Sequence, residues 1–318
     1  MSFSKKVKEE LSKQISTARH CQIAEIAAII SLCGNIIINE RNEYFIKIHT
    51  ENLTVARKYF ILIKKSFQVS AEISIRKNVN LKKSKIYTVL IKDSEAALLI
   101  LKATKLIDIN GEIREELSIT TNLVVQSSCC KRAFIRGAFL AYGSMSDPAK
   151  TYHFEIVTST KAKASQLQEI IHFFGIDAKI VLRKKYYVVY VKEGSQIVDL
   201  LNIMEAHVAL MELENVRILK EMRNSINRQV NCETANINKT VTAATKQIED
   251  IQYIKDTIGF GELSEGLEEI AKIRLEQPEA SLKELGTLLN PPIGKSGVNH
   301  RLRKLSEIAD RLREEKER

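Results

Sequence analysis

Apolar residues near the start of the chain fall at helical intervals. Val7, Leu11 and Ile15 stand at i, i+4 and i+8 among polar residues, a spacing that predicts a short N-terminal helix within residues 1–20. A more apolar helix is expected over 21–34, carried by Ile23, Ile26, Ala27 and Ile30. The period then shortens, and Ile36–Ile38 and Tyr44–Ile48 read as strands joined through Glu40, Arg41, Asn42 and Glu43. Helical spacing returns over about 52–67, with Val55, Tyr59, Leu62 and Ile63 on one face. Strands at about 71–77 and 86–92 flank a basic hairpin from Asn78 to Lys85, and a helix with Ser94 as its N-cap runs to Leu106.

The same order is then written again. Ala71-Glu72-Ile73-Ser74-Ile75-Arg76-Lys77 returns 107 residues later as Ala178-Lys179-Ile180-Val181-Leu182-Arg183-Lys184. The helix Ile26 to Gly34 returns as Ile135 to Gly143, offset by 109, and the strand Lys47–Thr50 as Glu155–Thr158, offset by 108. A helix at 129–143, strands ending near 158, a helix at about 161–174, strands at 178–184 and 186–192, and a helix from about Ser195 complete the second copy. The expected fold is therefore α+β: a duplicated domain over 21–210, with repeats at about 21–106 and 129–206, each α-β-β-α-β-β-α. The second hairpin is about seven residues shorter in the later copy, which demands a tight turn before Tyr186. Duplication gives a pseudo-two-fold axis, the symmetry that a duplex backbone also has.

Past residue 210 the strand pattern stops. Residues 211–235 read as a basic, asparagine-rich linker helix with Arg217, Lys220, Arg223, Asn227, Arg228 and Asn231. An all-α domain is expected over 236–318: a helix that turns Val241, Ile248, Ile251, Ile254 and Ile258 toward a core, then helices at roughly 264–275, 281–289 and 296–313. The domain boundary falls near 210–235.

Within that last domain, the segment of about 280–313 reads as a helix-turn-helix. Ser281-Leu282-Lys283-Glu284 has capping-box spacing and starts a helix with Leu282, Leu285, Leu288 and Leu289 inward. Asn290-Pro291-Pro292-Ile293-Gly294 breaks it, because neither proline can continue a helix. Ser296 is placed to cap the next helix, whose apolar face is Val298, Leu302, Leu305, Ile308 and Leu312. Its first turns offer Lys295, Ser296, Asn299, His300, Arg301, Arg303 and Lys304, side chains suited to base edges and phosphates. Amides and a guanidinium also crowd between Asn227 and Asn236, so Asn227, Arg228, Asn231, Asn236 and the nearby Lys239 are further candidate DNA contacts.

Charge agrees with a polyanionic partner: 49 basic against 39 acidic residues give a formal charge of +10 over 318 residues. The longest uncharged stretch, between Glu25 and Glu40, is too short and too mixed to span a bilayer, and the first residues carry no secretory signal. A cytoplasmic location is expected. The cysteines (Cys21, Cys33, Cys129, Cys130, Cys232) form no C-x-x-C pair and no Cys/His spacing for zinc. They read as small buried hydrophobes in a reducing compartment, with no metal and no cofactor.

Two nine-residue segments, Ile26 to Gly34 and Ile135 to Gly143, carry small residues at helix-packing spacing and end in glycine, as a left-handed helix cap would. Standing at the head of each half, they resemble the LAGLIDADG homing endonucleases. In that family the acidic residue just before the last glycine binds the metal that cuts DNA. Cys33 and Tyr142 occupy those positions here, so the resemblance implies the scaffold with degenerate metal positions and argues against nuclease activity. With the Asn227–Asn236 stretch and the Ser281–Arg303 motif, the chain resembles the WhiA family over essentially its whole length. That resemblance implies a bacterial DNA-binding protein, linked to sporulation transcription or to cell division and chromosome segregation. A Lys- and Ile-rich composition, typical of an AT-rich genome, points to the division role. The partners implied are double-stranded DNA at the nucleoid and a transcription or cell-division protein, with no membrane and no small-molecule substrate. Two other readings are an active endonuclease, with Glu25, Glu40, Asp147 or Glu155 as metal ligands, and a protein-binding adaptor for division factors. Tyr142 stands where the family commonly has a small residue, so altered packing of the central helices is expected there.

Overall fold

The computed structural model describes residues 2–77, 85–108, 110–114 and 123–317. The expected basic hairpin at 78–84 lies outside them. The chain divides into two compact units, Met1–Lys220 and Glu221–Arg318.

In the first unit, α1 (Phe3–Lys13) precedes two copies of one arrangement. The first copy is α2 (Arg19–Cys33), β1 (Gly34–Ile38), β2 (Tyr44–Thr50), α3 (Leu53–Phe67), β3 (Glu72–Lys77), β4 (Lys85–Ile91) and α4 (Ser94–Ala103). The second is α5 (Ser128–Tyr142), β5 (Gly143–Met145), β6 (Phe154–Thr158), α6 (Lys161–His172), β7 (Lys179–Arg183), β8 (Tyr186–Val191) and α7 (Gly194–Met204). Each copy builds one antiparallel sheet, in the orders β1-β2-β4-β3 and β5-β6-β8-β7. Registers match as well: Gly34 pairs with Ile48 in one sheet and Gly143 with Ile156 in the other.

The helices α2 and α5 form the centre. Between Ala24 and Ile30 every residue of α2 is buried, so this helix has no solvent stripe. Gly137 explains how the pair packs so closely: a Cβ there would lie 2.6 Å from the Glu25 carbonyl oxygen and 3.0 Å from the Ala28 Cβ. The terminal glycines have a different cause from the one expected. Gly34 (φ −84°) and Gly143 (φ −77°) are extended, not left-handed. Glycine is needed because a Cβ would meet the Ile30 oxygen at 2.4 Å or the Phe139 ring at 2.3 Å. Asp93, not Ser94, caps α4, accepting from the amides of Glu95 and Ala96, while the Ser94 hydroxyl accepts from the Tyr44 amide. Ile15 lies past the end of α1, which buries Phe3, Val7 and Leu11. The tight turn before Tyr186 is Lys184-Lys185, with Lys184 at φ 56°.

Glu25 is fully buried in this centre. It pairs with the buried Lys58 ammonium and, at 3.3 and 3.4 Å, with the Arg136 guanidinium, which also reaches Glu205 at 2.8 Å. Lys58 donates to the Leu11 carbonyl at 2.7 Å, and burial holds its pKa below the ordinary lysine range. Desolvating charges is tolerable only because each finds partners.

The second unit takes its core from four helices. The helix α8 runs unbroken over His207–Thr257, where a separate linker and core helix were expected. Its Ile251 and Ile254 pack with Ile270 and Ala271 of α9 (Glu265–Glu276), Leu285 of α10 (Leu282–Leu288) with the adjoining Leu289, and Val298, Leu302, Leu305 and Ala309 of α11 (Lys295–Glu317). Val241, Ile258 and Leu288, expected inside, are exposed. The cysteines divide: Cys21, Cys33 and Cys130 are buried, but Cys129 and Cys232 are exposed. Contrary to the expected absence of a Cys/His ligand set, Cys21, Cys129 and Cys130 converge with His20.

Candidate nucleic-acid interface

The capping box forms as its spacing predicts. The Ser281 hydroxyl accepts from the Glu284 amide at 3.3 Å and the Glu284 carboxylate accepts from the Ser281 amide at 2.7 Å. That bonding holds the Glu284 carboxyl below its usual pKa. After α10 the turn folds back so that the Ile293 amide donates to the Gly286 carbonyl at 3.0 Å. Gly286 permits this approach, since a Cβ would sit 2.3 Å from the Ile293 oxygen. The following helix α11 starts at Lys295, with the Val298 amide donating to the Gly294 carbonyl at 3.1 Å. Ser296 is therefore a first-turn residue and not the cap.

Burial splits α11 cleanly. Val298, Leu302, Leu305 and Ala309 face the core, while Ile308 and Leu312 are half-buried at its edge. Lys295, Ser296, Asn299, His300, Arg303 and Lys304 are exposed, and i, i+3 and i+4 spacing puts them on one face of the first turns. Arg301 departs from the group. Half-buried, it donates from one Nη to the Gly266 carbonyl at 3.1 Å and so braces α11 against α9. Among the described residues Arg303 pairs only with the exposed Glu307, at 3.4 Å, a contact of small worth in water. This face thus offers two amide or imidazole side chains flanked by ammonium and guanidinium groups, at the end of a helix where the dipole favours anions.

On α8 the expected contacts Asn227, Arg228, Asn231, Asn236 and Lys239 are all exposed, Asn236 donating weakly to the Cys232 sulfur at 3.9 Å. The sequence reading missed that apolar residues share this stretch. Met222, Ile226, Val230, Ile237 and Val241 are exposed too, and their 4-4-7-4 spacing was the available signal.

The ends of α2 and α5 carry the other candidate positions. The Cys33 thiol is buried, donates to the Ile29 carbonyl at 3.1 Å, and is pushed up to about 12 by burial. Tyr142 leans outward, 48% exposed, which is how the helix pair accommodates a large residue there; burial of part of its ring still raises its phenol. Neither is an anion near neutrality. Tyr142 lines a cleft of about 430 Å³ with Lys8, an ammonium lowered to about 8 by burial. A lysine in that cleft repels a divalent cation when charged.

Three of the four alternative carboxylates are engaged elsewhere. Glu25 is enclosed by Lys58 and Arg136. Asp147 accepts from the Ala149 amide at 2.9 Å, and Glu40 lies exposed by the hairpin turn. Glu155 bonds Ser144, His153 and Arg183; burial alone would raise its carboxyl, but these donors hold it below its usual range. The outer sheet faces are mixed, not uniformly basic: Lys47, Arg76 and Arg183 alternate there with Ile37, Phe45, Val181, Tyr186, Glu72 and Glu155.

Three family models match: the WhiA N-terminal LAGLIDADG-like domain over residues 19–107, the WhiA LAGLIDADG-like domain over 131–223, and the WhiA C-terminal HTH domain over 226–309. The chain belongs to the WhiA family. It is 64% identical over 314 residues to a probable cell division protein WhiA of Lachnoclostridium phytofermentans, covering 99% of this chain and 100% of that one. A WhiA relative from Alkaliphilus oremlandii, also called a probable cell division protein, is 51% identical over 317 residues, covering 99% of each. Among solved structures, full-length DUF199/WhiA from T. maritima aligns over 98% of this chain and 99% of its own, at 25% identity and a TM-score of 0.60. The fold is thus the duplicated LAGLIDADG-like scaffold followed by a helical HTH region, as WhiA proteins have it. The WhiA HTH match opens inside α8, and it takes in Asn227 to Lys239 as well as α10 and α11 as far as residue 309.

Proposed function

We propose that this chain is a sequence-specific DNA-binding protein that regulates transcription in cell division and chromosome segregation, and that it does not cleave DNA. The observation that carries the reading is the exposed face of α11: Lys295, Ser296, Asn299, His300, Arg303 and Lys304 stand together on the solvent side of a helix-turn-helix. The name of its relatives supplies the division role. In this reading Asn299 and His300 meet base edges, while Lys295, Arg303 and Lys304, helped by Arg228 and Lys239, hold phosphates. Ser296, Asn227, Asn231 and Asn236 add hydrogen bonds, and Arg301 acts by fixing the helix.

The domains divide as an N-terminal helix (1–20), the duplicated scaffold (21–210), a basic segment (211–235) and the HTH domain (236–318). The protein works at the nucleoid in the cytoplasm. A protein partner from transcription or division is favoured by the exposed Met222, Ile226, Val230, Ile237 and Val241. The scaffold is non-catalytic because a thiol and a phenol stand where cleavage would require carboxylates, and Lys8 lines the cleft beside Tyr142.

Two measurements test the proposal. Duplex affinity of the full chain is expected to fall with salt, by about 0.9 in log K per log salt for each phosphate neutralised. A salt-independent affinity refutes the phosphate contacts. Supercoiled plasmid with Mg²⁺ or Mn²⁺ is expected to stay intact, and nicking that copurifies with the chain and disappears in Asp147→Ala overturns the non-nuclease reading.

A further inference from the structure

We propose that His20, Cys21, Cys129 and Cys130 form a zinc site that ties the two halves of the duplicated scaffold together where the central helices begin. His20 and Cys21 lie in the first turn of α2, Cys129 and Cys130 in the first turn of α5. The pairs are separated by the repeat offset: 129 − 20 and 130 − 21 both equal 109, the interval that relates the two central helices. The pseudo-two-fold thus brings equivalent positions face to face. Linear spacing hides such a set, because each half contributes only two adjacent residues.

The distances fit one small cation. The His20 Nδ1 lies 3.2 Å from the Cys130 sulfur, 3.4 Å from Cys21 and 3.9 Å from Cys129. All four ligand atoms fall within 4.8 Å of one another. Tetrahedral zinc has bonds of about 2.3 Å to sulfur and about 2.0–2.1 Å to nitrogen, so its ligand atoms stand roughly 3.5–3.8 Å apart. Iron–sulfur clusters need donors spread more widely than this. Three thiolates and an imidazole are too soft a set for Mg²⁺ or Ca²⁺, and four protein ligands make a closed, structural centre.

Both helix N-termini point their positive ends at the cluster. Zinc with three thiolates carries a net charge of −1, and Arg19, Lys131 and Arg132 adjoin the ligands in sequence. Their cationic heads rest over Phe67, Phe173 and Phe174. Binding forms one Zn–N and three Zn–S bonds and releases the thiol protons to solvent; no electron moves. All three cysteines are free of disulfides, as this chemistry requires.

The test uses the full chain, purified without chelator, stripped of metal and reloaded with zinc. One zinc per chain is expected, with His20→Ala and Cys129→Ser each weakening it at least tenfold against a competing chelator. Both residues are exposed, so both variants should fold, as circular dichroism would verify; Cys232→Ser should bind like wild type. Cobalt(II) in place of zinc should show thiolate-to-metal charge transfer and tetrahedral visible bands, weakened in Cys129→Ser. A wild-type chain that takes up no stoichiometric zinc, or whose uptake survives both His20→Ala and Cys129→Ser, overturns the site. So does a cobalt spectrum without thiolate bands. None of these readouts depends on DNA.

Discussion

Two helices of this chain meet solvent in opposite ways. Helix α2 buries every residue from Ala24 to Ile30, including the charged Glu25, while α11 buries one stripe and leaves its first turns open on the other side. In α2 a polar side chain has work inside the protein, where Lys58 and Arg136 surround it. In the first turns of α11 the exposed polar side chains face solvent, while the half-buried Arg301 and, further along, Arg313 reach inward to the Gly266 carbonyl and the buried Asp250. The contrast separates the residues that make the scaffold from those left for a partner. Substitutions in the first set should act on stability, those in the second on binding.

The largest effect is expected at Glu25. Glu25→Gln keeps the shape but leaves Lys58 and Arg136 buried with their main counter-charge gone, a loss of about 3–5 kcal/mol. Chemical denaturation of the full chain checks this, and an unchanged midpoint would mean that the buried charges carry no weight. Gly137→Val comes next. Its Cβ would press on the Glu25 carbonyl and the Ala28 methyl, and overpacking of this kind costs about 1–3 kcal/mol. A wild-type melting curve for Gly137→Val would show that the helix pair can move apart.

Much of this contrast was legible in the sequence. The repeat offset announced the duplication because each half must bury the same helix-sheet layers, and the alternation of period 3.6 with period 2 survived divergence. The capping box and the paired prolines placed α10 and the turn because their chemistry is local. What failed was non-local. The glycines at 34 and 143 suggest a φ requirement from sequence, but they exist because the preceding helical turn lies against them. Arg301 looked like any other basic residue of the recognition face until the Gly266 carbonyl was beside it. The His20–Cys130 cluster was invisible because its members adjoin only across the pseudo-two-fold.

On the open side of the comparison, Asn299→Ala should leave the melting curve in place. Asn299 is exposed, one position from the buried Val298 but off the apolar face. Removing a hydrogen bond to a base edge costs about 1–3 kcal/mol on the preferred site and little on random duplex. Competition between specific and scrambled duplexes measures the difference. Equal weakening on both would reassign Asn299 to the phosphate backbone.

The smallest and most diagnostic effect belongs to Arg303→Ala. Its exposed ion pair with Glu307 contributes about 0–1 kcal/mol, so stability should barely move. Its guanidinium sits one helical turn beyond Asn299, where a groove-bound helix passes the phosphates. Removing it should weaken specific and random duplex alike, and should lower the slope of log K against log salt by about one. Arg301→Ala provides the counterpart on the same helix: a side chain that braces α9 should shift the melting temperature downward and leave the salt slope at its wild-type value. If instead Arg301→Ala changes the slope and Arg303→Ala changes the melting temperature, the division of α11 into a bracing side and a reading side is wrong. If neither Asn299→Ala nor Arg303→Ala changes binding, α11 does not enter the groove, and the Asn227–Asn236 stretch of α8 becomes the surface to test.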